Sequence, residues 1–444
     1  MANRKISNQF RELLKQELQI WQTDSIISAE QSSSLSQKYR LDQMQKESTH
    51  LLLFVIYIIG AVLVGAGVIS FVAANWENIP AAAKVAMIVA FMLACHFIGY
   101  YLWRISAISP RLGHALVVLG TLVFGANIGL MAQIFHIKSN FYNGLFAWAI
   151  GAIIMAYAVK SVPNAIIAIL VWFIGFCSGV DDHERIFAFL PFVAAAIFLL
   201  FAYLNRSVPA FSLSSLAAGF ATVIYVWHSV GGLASYGIVA PGLALLFFGW
   251  GLVSARTTKF HIFGSPAMII GTIFIAFGAY ISSFKQYRLE FPELLKERLW
   301  LAPTITAYLL GIAAWLAAIK QVLSDTNAKW ITAGLFVSSV LVVASVLMTP
   351  VFMDSPDSFW CTVCANVACF ILAATLVANG FSSLDRQIFW AGVMFIALVI
   401  TSRFLEYETG LLIKAAVFIA CGICLILAGV GFENYLKQRR PANE

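Results

Sequence analysis

The chain has 444 residues, of which 61% are hydrophobic and only 11% charged, with a mean hydropathy of +0.86. A soluble globular protein is nearer half apolar and a quarter charged, so a water-soluble fold of this length is excluded and lipid is the solvent for most of the chain. The formal charge of +7 does not point to nucleic acid, because the Lys and Arg residues are scattered through short connections rather than gathered on one face.

Residues 1–50 are polar and hold no apolar run with a small-residue cleavage site, so no cleaved signal peptide is expected. Within them, residues 8–45 read as two short amphipathic helices. In the first, Phe10, Leu13, Leu14, Leu18 and Trp21 recur at helical spacing. Asp24 and Ser25 mark the turn, and Ser28 stands three residues before Gln31, the capping-box arrangement that opens a second helix. The apolar face of that helix is thin, chiefly Leu35 and Tyr39. Such a hairpin needs support from the membrane surface, from its own transmembrane part or from a cytoplasmic protein partner.

From Leu51 onward the apolar runs, at about 20 residues per crossing, predict fourteen spans. The first three are Leu51 to Ala74, Ala81 to Trp103 and Gly113 to His136, followed by Tyr142 to Val159, Pro163 to Val180, Ile186 to Leu204 and Pro209 to His228. Then come Ile238 to Ser254, Ile262 to Ser283, Leu299 to Ile319, Trp330 to Met348, Phe359 to Asn379, Ile388 to Leu405 and Leu411 to Phe432. The fold class is therefore an all-α polytopic transmembrane helical bundle of about fourteen spans. It has a hairpin over residues 1–50, a membrane domain over 51–432 and a basic tail over 433–444. Counted on alternate sides, 19 of the 28 Lys and Arg residues fall on the side of the two termini. That bias places both termini in the cytoplasm, and termini on one side require an even number of spans. No motif quoted from the first half recurs in the second, so a seven-plus-seven inverted repeat has no support.

Three polar stretches stand out. FVAANWENIP, Phe71 to Pro80, closes the first span and offers Asn75 and Glu77 at the outer boundary, where an interfacial Trp anchor is the plain alternative. GANIGLMAQIFH, Gly125 to His136, carries a GxxxG pair at Gly125 and Gly129, which predicts a closely approaching neighbour helix. It also carries Asn127 deep in the span, where an amide normally bonds another helix. Gln133 and His136 share a face near the outer surface. TSRFLEYETG ends the thirteenth span with Arg403 and Glu406 at i and i+3, a spacing that suits an ion pair. Asn75, Glu77, Asn127, Gln133, His136, Arg403 and Glu406 are thus the candidate substrate-binding residues, and all fall toward one membrane face.

The CxxC pairs Cys361/Cys364 and Cys421/Cys424 lie at different depths in apolar helices, offset by roughly 12 Å at 1.5 Å per residue. That is too far for a shared zinc ion. One His and one Gln are likewise too few ligands, so no metal is expected, and no cofactor fingerprint is present. No catalytic residue is assigned.

The chain resembles the bacterial multi-pass membrane proteins called domain of unknown function 2157. The residues that carry the resemblance are the hairpin with Trp21, IIS at Ile26 to Ser28 and Tyr39, then AANWENIP, then AQIFH at Ala132 to His136, and the closing span with its basic tail. The family's hairpin normally shows Gly where this chain has Ser25. The resemblance implies a multi-pass inner-membrane protein with a cytoplasmic N-terminal helical segment, and it implies no activity. Composition favours a carrier or flippase for a small solute or lipid-linked molecule. The alternatives are a sensor, assembly factor or scaffold whose hairpin docks a partner, and a membrane-embedded enzyme using His136 with Glu77 or Glu406.

Overall fold

The computed structural model describes residues 8–24, 26–39, 79–106, 108–182, 185–230, 234–255, 257, 260–284, 301–322, 326–348, 358–406 and 410–439. It is 91% helical, with 15 helices and no strand among the described residues. The chain divides into two compact units, residues 1–87 and 88–444.

The first unit contains α1 (Asn8–Thr23) and α2 (Ala29–Tyr39). The capping box forms as the spacing requires. The Ser28 backbone N–H donates to Gln31 Oε1 at 2.9 Å, and the Gln31 N–H donates to Ser28 Oγ at 3.2 Å. On α1 Leu18 is buried, while Ile20 and, in the turn, Ile26 stay exposed. The expected first span, Leu51 to Ala74, lies outside the described residues, as do Asn75 and Glu77.

Thirteen further helices coincide with the remaining expected spans. They are α3 (Ala81–Tyr100, running on through a π-turn at Tyr101–Ile105), α4 (Pro110–Ile134), α5 (Phe141–Val159), α6 (Val162–Gly179), α7 (Leu190–Leu204) and α8 (Val208–Val230). Then follow α9 (Ala234–Ser254), α10 (His261–Ser282), α11 (Leu301–Val322), α12 (Thr326–Met348), α13 (Ser358–Ser383), α14 (Arg386–Glu406) and α15 (Leu411–Arg439). Ten of the thirteen are long and apolar enough to cross a bilayer. The other three, α9, α11 and α12, run 21, 22 and 23 residues.

In the second unit a continuous core runs from Tyr142 on α5 to Val399 on α14 and is dominated by Ala and Phe. Small residues let the backbones close up, which is how helices associate where lipid removes the hydrophobic drive. By contrast, none of the 18-residue apolar window of α15 is buried, and the helix is anchored at its far end by Phe432 and Leu436, packed with Phe389 of α14.

The helix ends on one membrane face follow a common plan. After α5, Lys160 takes φ 54°, the Ser161 N–H reaches back to Ala156 O at 3.0 Å, and Ser161 Oγ caps α6 by accepting from the Asn164 N–H at 3.5 Å. After α7, Arg206 takes φ 47°, the Ser207 N–H reaches Ala202 O at 2.9 Å, and Ser207 Oγ accepts from the Ala210 N–H at 3.3 Å. The sequences read AYAVKSVP from Ala156 and AYLNRSVP from Ala202. The α5–α6 and α7–α8 corners are one local device used twice, both within the first half of the chain, so a seven-plus-seven repeat remains without support. Each stops a helix with a left-handed residue and restarts the chain with a Ser cap and a Pro in the first turn.

Candidate functional site

Arg403 and Glu406 come together as their spacing predicts. They lie on the last turns of α14, with side chains only 13% and 12% exposed. Arg403 Nη1 donates both to Glu406 Oε2 and to the carbonyl of Ser283, just past the end of α10. The guanidinium lies over the Phe284 ring, Cζ 3.9 Å from its centroid. From α13, Asn366 Nδ2 donates to the same Ser283 carbonyl at 3.1 Å. Two groups are left over among the described residues: Nε and Nη2 of Arg403, and the buried hydroxyl of Ser282. An ionised side chain with unmet donors inside a membrane protein is costly and marks a site by default.

The other expected residues do not join this cluster. Asn127 is buried on α4, where its Nδ2 donates to Met92 Sδ on α3 at 3.4 Å and its Oδ1 has no partner among the described residues. Gln133 and His136 are exposed. His136 has φ 50°, with the Ile137 N–H donating back to Ala132 O at 2.9 Å. It is thus the left-handed residue that stops α4. The GxxxG expectation is half right. A Cβ on Gly125 would run into the Trp148 ring, whereas among the described residues nothing lies within 4 Å of one on Gly129. The close helix crossing is instead between Gly99 and Gly113, which face each other across α3 and α4.

Two features were not anticipated. The first is a groove of about 620 Å³ between α9, α11 and α12. Leu245, Tyr308, Ile312, Trp315, Leu316, Phe336 and Val340 line it, with Ser339 its single small hydroxyl. Trp315 Nε1 is buried with no acceptor among the described residues. Ser338, next to Ser339, bonds Ala368 O on α13 at 3.3 Å, which links the groove wall to the helix that carries Asn366. Periodicity finds apolar helices but not which of them stand apart.

The second is a polar corner on the opposite face. His114 Nε2 lies 2.8 Å from Ser161 Oγ, and the imidazole stacks on Trp103 with centroids 4.1 Å apart. Arg104 Cζ lies 4.4 Å from the centroid of that indole, and the side chain donates to Val159 O at 3.0 Å, closing the end of α5. Asn164 is fully buried, and neither its Nδ2 nor its Oδ1 has a partner among the described residues. The corner lies within a segment for which a comparison gives a match. Residues 19–164 match the family model of a predicted membrane protein, DUF2157. The matched range covers the hairpin motifs, AANWENIP and AQIFH, but not the closing span with its basic tail, on which the resemblance also rested. It leaves the groove and the Arg403 cluster outside the DUF2157 segment. No curated protein and no solved structure matches the chain. Among the described residues no three His, Cys, Asp or Glu side chains gather as a metal site would need.

Proposed function

We propose that this membrane protein is a carrier or flippase for a lipid or lipid-linked molecule, with its basic face and both termini in the cytoplasm of a bacterial inner membrane. The groove between α9, α11 and α12 carries the reading. Its volume lies within the range of pockets that hold small molecules, and its walls are hydrocarbon and aromatic rings, which suit an acyl or isoprenoid tail better than a hydrated solute. Pro241 inside α9 and Pro266 inside α10 each remove a helix hydrogen bond and supply bending points beside it. Arg403 and Glu406 would meet the polar end of the cargo at the outer face. Asn127, Gln133, His136, Asn75 and Glu77 are kept as further substrate-binding candidates.

Filling the groove tests this. Ala344→Phe places a ring between Val340 and Val343 on a wall that has room for it. In proteoliposomes containing a fluorescent-tailed phospholipid, the variant should move lipid between leaflets about ten-fold more slowly than the wild type, with unchanged thermal stability. Wild-type vesicles that move lipid no faster than empty ones would overturn the proposal.

A second reading rests on the hairpin, which leaves Ile20 half exposed. There residues 8–45 dock a cytoplasmic protein. Deleting them would then abolish partner binding while sparing lipid movement.

A further inference from the structure

Between Asn78 and Leu289 the chain has only three acidic residues, Asp181, Asp182 and Glu184, all in the α6–α7 connection. The opposite face of those helices presents Arg104, Arg111, Lys160 and Arg206 with no carboxylate from the same stretch. A basic excess of this kind is the ordinary topological signal, so by itself it assigns nothing. The α5–α6 corner goes further, because the α7–α8 corner is a copy of it within the same molecule and shows what the turn alone requires.

The turn requires a left-handed residue, a Ser cap and a Pro, and both copies have them. It does not require Asn164. The matching position in the second copy is Ala210, equally buried at 0% exposure. The first corner therefore holds an amide with two unmet hydrogen-bonding groups where a methyl group suffices, at a cost normally avoided in a protein interior. The first corner also has His114 on its Ser cap and Arg104 pinned between Trp103 and Val159. Lys160 sits in a conformation that Gly adopts without strain. The N-terminus of α6, with its positive dipole end, completes the set.

We propose that this corner binds the phosphate of an anionic phospholipid. Arg104 and Lys160 supply the charge at the interface, His114 holds the Ser161 cap, and Asn164 supplies a buried polar group at the start of α6. Basic recesses between transmembrane helices are suited to anionic headgroups. The proposal is independent of the groove and of any transport.

The test uses the full chain in nanodiscs of phosphatidylcholine doped with phosphatidylglycerol, with retained lipid counted by native mass spectrometry. The wild type should keep phosphatidylglycerol in preference to phosphatidylcholine. Lys160→Gly relieves the left-handed strain while removing the charge, and Asn164→Ala installs the residue of the second corner. Each should melt no lower than the wild type and lose about five-fold in that preference. Arg206→Gly, the same change at the corner that has Ala210 in place of Asn164, should lose little. The proposal is overturned by a wild type without preference, by variants that retain lipid as it does, or by equal loss at Arg206. Inorganic phosphate competing as well as the lipid would assign the corner to a soluble anion and overturn the lipid assignment.

Discussion

Glu406→Ala is expected to destabilise the second unit by about 3–5 kcal/mol, the loss typical when one member of a buried ion pair is removed. The reason is what would remain. Arg403 already has Nε and Nη2 unmet among the described residues, and without Glu406 its charge would be left to the Ser283 carbonyl and the Phe284 ring. At 13% exposure of the Arg403 side chain, water offers little substitute. Denaturant unfolding in detergent measures the loss. The double variant Arg403→Met with Glu406→Ala should recover most of it, because a pair replaced by apolar groups leaves no buried charge behind. A single variant that costs less than about 1 kcal/mol would put the pair in the class of exposed salt bridges and remove its claim to a site.

The crossing helices were legible because hydropathy and length are one-dimensional properties: 20 or so apolar residues must span lipid whatever they pack against. The capping box at Ser28 and Gln31 and the Arg403–Glu406 pair were legible for a related reason, since each lies within one helical turn. Partners across helices were not. Asn127 was expected to bond a neighbour, but nothing in its own span names Met92, and Arg403 gives no hint of the Ser283 carbonyl 120 residues away.

His136 shows a different limit. A histidine beside a polar glutamine suggests chemistry, but its φ of 50° also makes it a helix stop, and backbone conformation at a non-glycine residue leaves little trace in sequence. The AYxx[KR]SVP repeat was readable in full. It was missed because a repeat was sought at the scale of half the chain, whereas the copies stand 46 residues apart in adjacent hairpins. Only the comparison of the two corners turns Asn164 from a polar residue near a helix start into one the turn does not require.

The Gly113→Ala and Gly129→Ala pair separates a glycine that packs from one that merely fits the GxxxG spacing. A Cβ on Gly113 would stand 2.5 Å from the Trp103 backbone N and 2.6 Å from the Gly99 carbonyl O, both main-chain atoms that cannot rotate aside. The α3–α4 crossing would have to open, costing about 3 kcal/mol, the upper end for overpacking. The displacement would also carry His114, the next residue, away from Trp103 and Ser161, so the indole–imidazole stack should be lost with the stability. Gly129 has the same residue type on the same helix and, among the described residues, nothing within 4 Å of its Cβ position. There alanine should raise stability by about 0.5–1 kcal/mol, the backbone-entropy gain for a helix interior. Thermal unfolding of both variants and Trp103 fluorescence read the two effects together. A crossing set by Gly125 and Gly129 would instead make Gly129→Ala the damaging change.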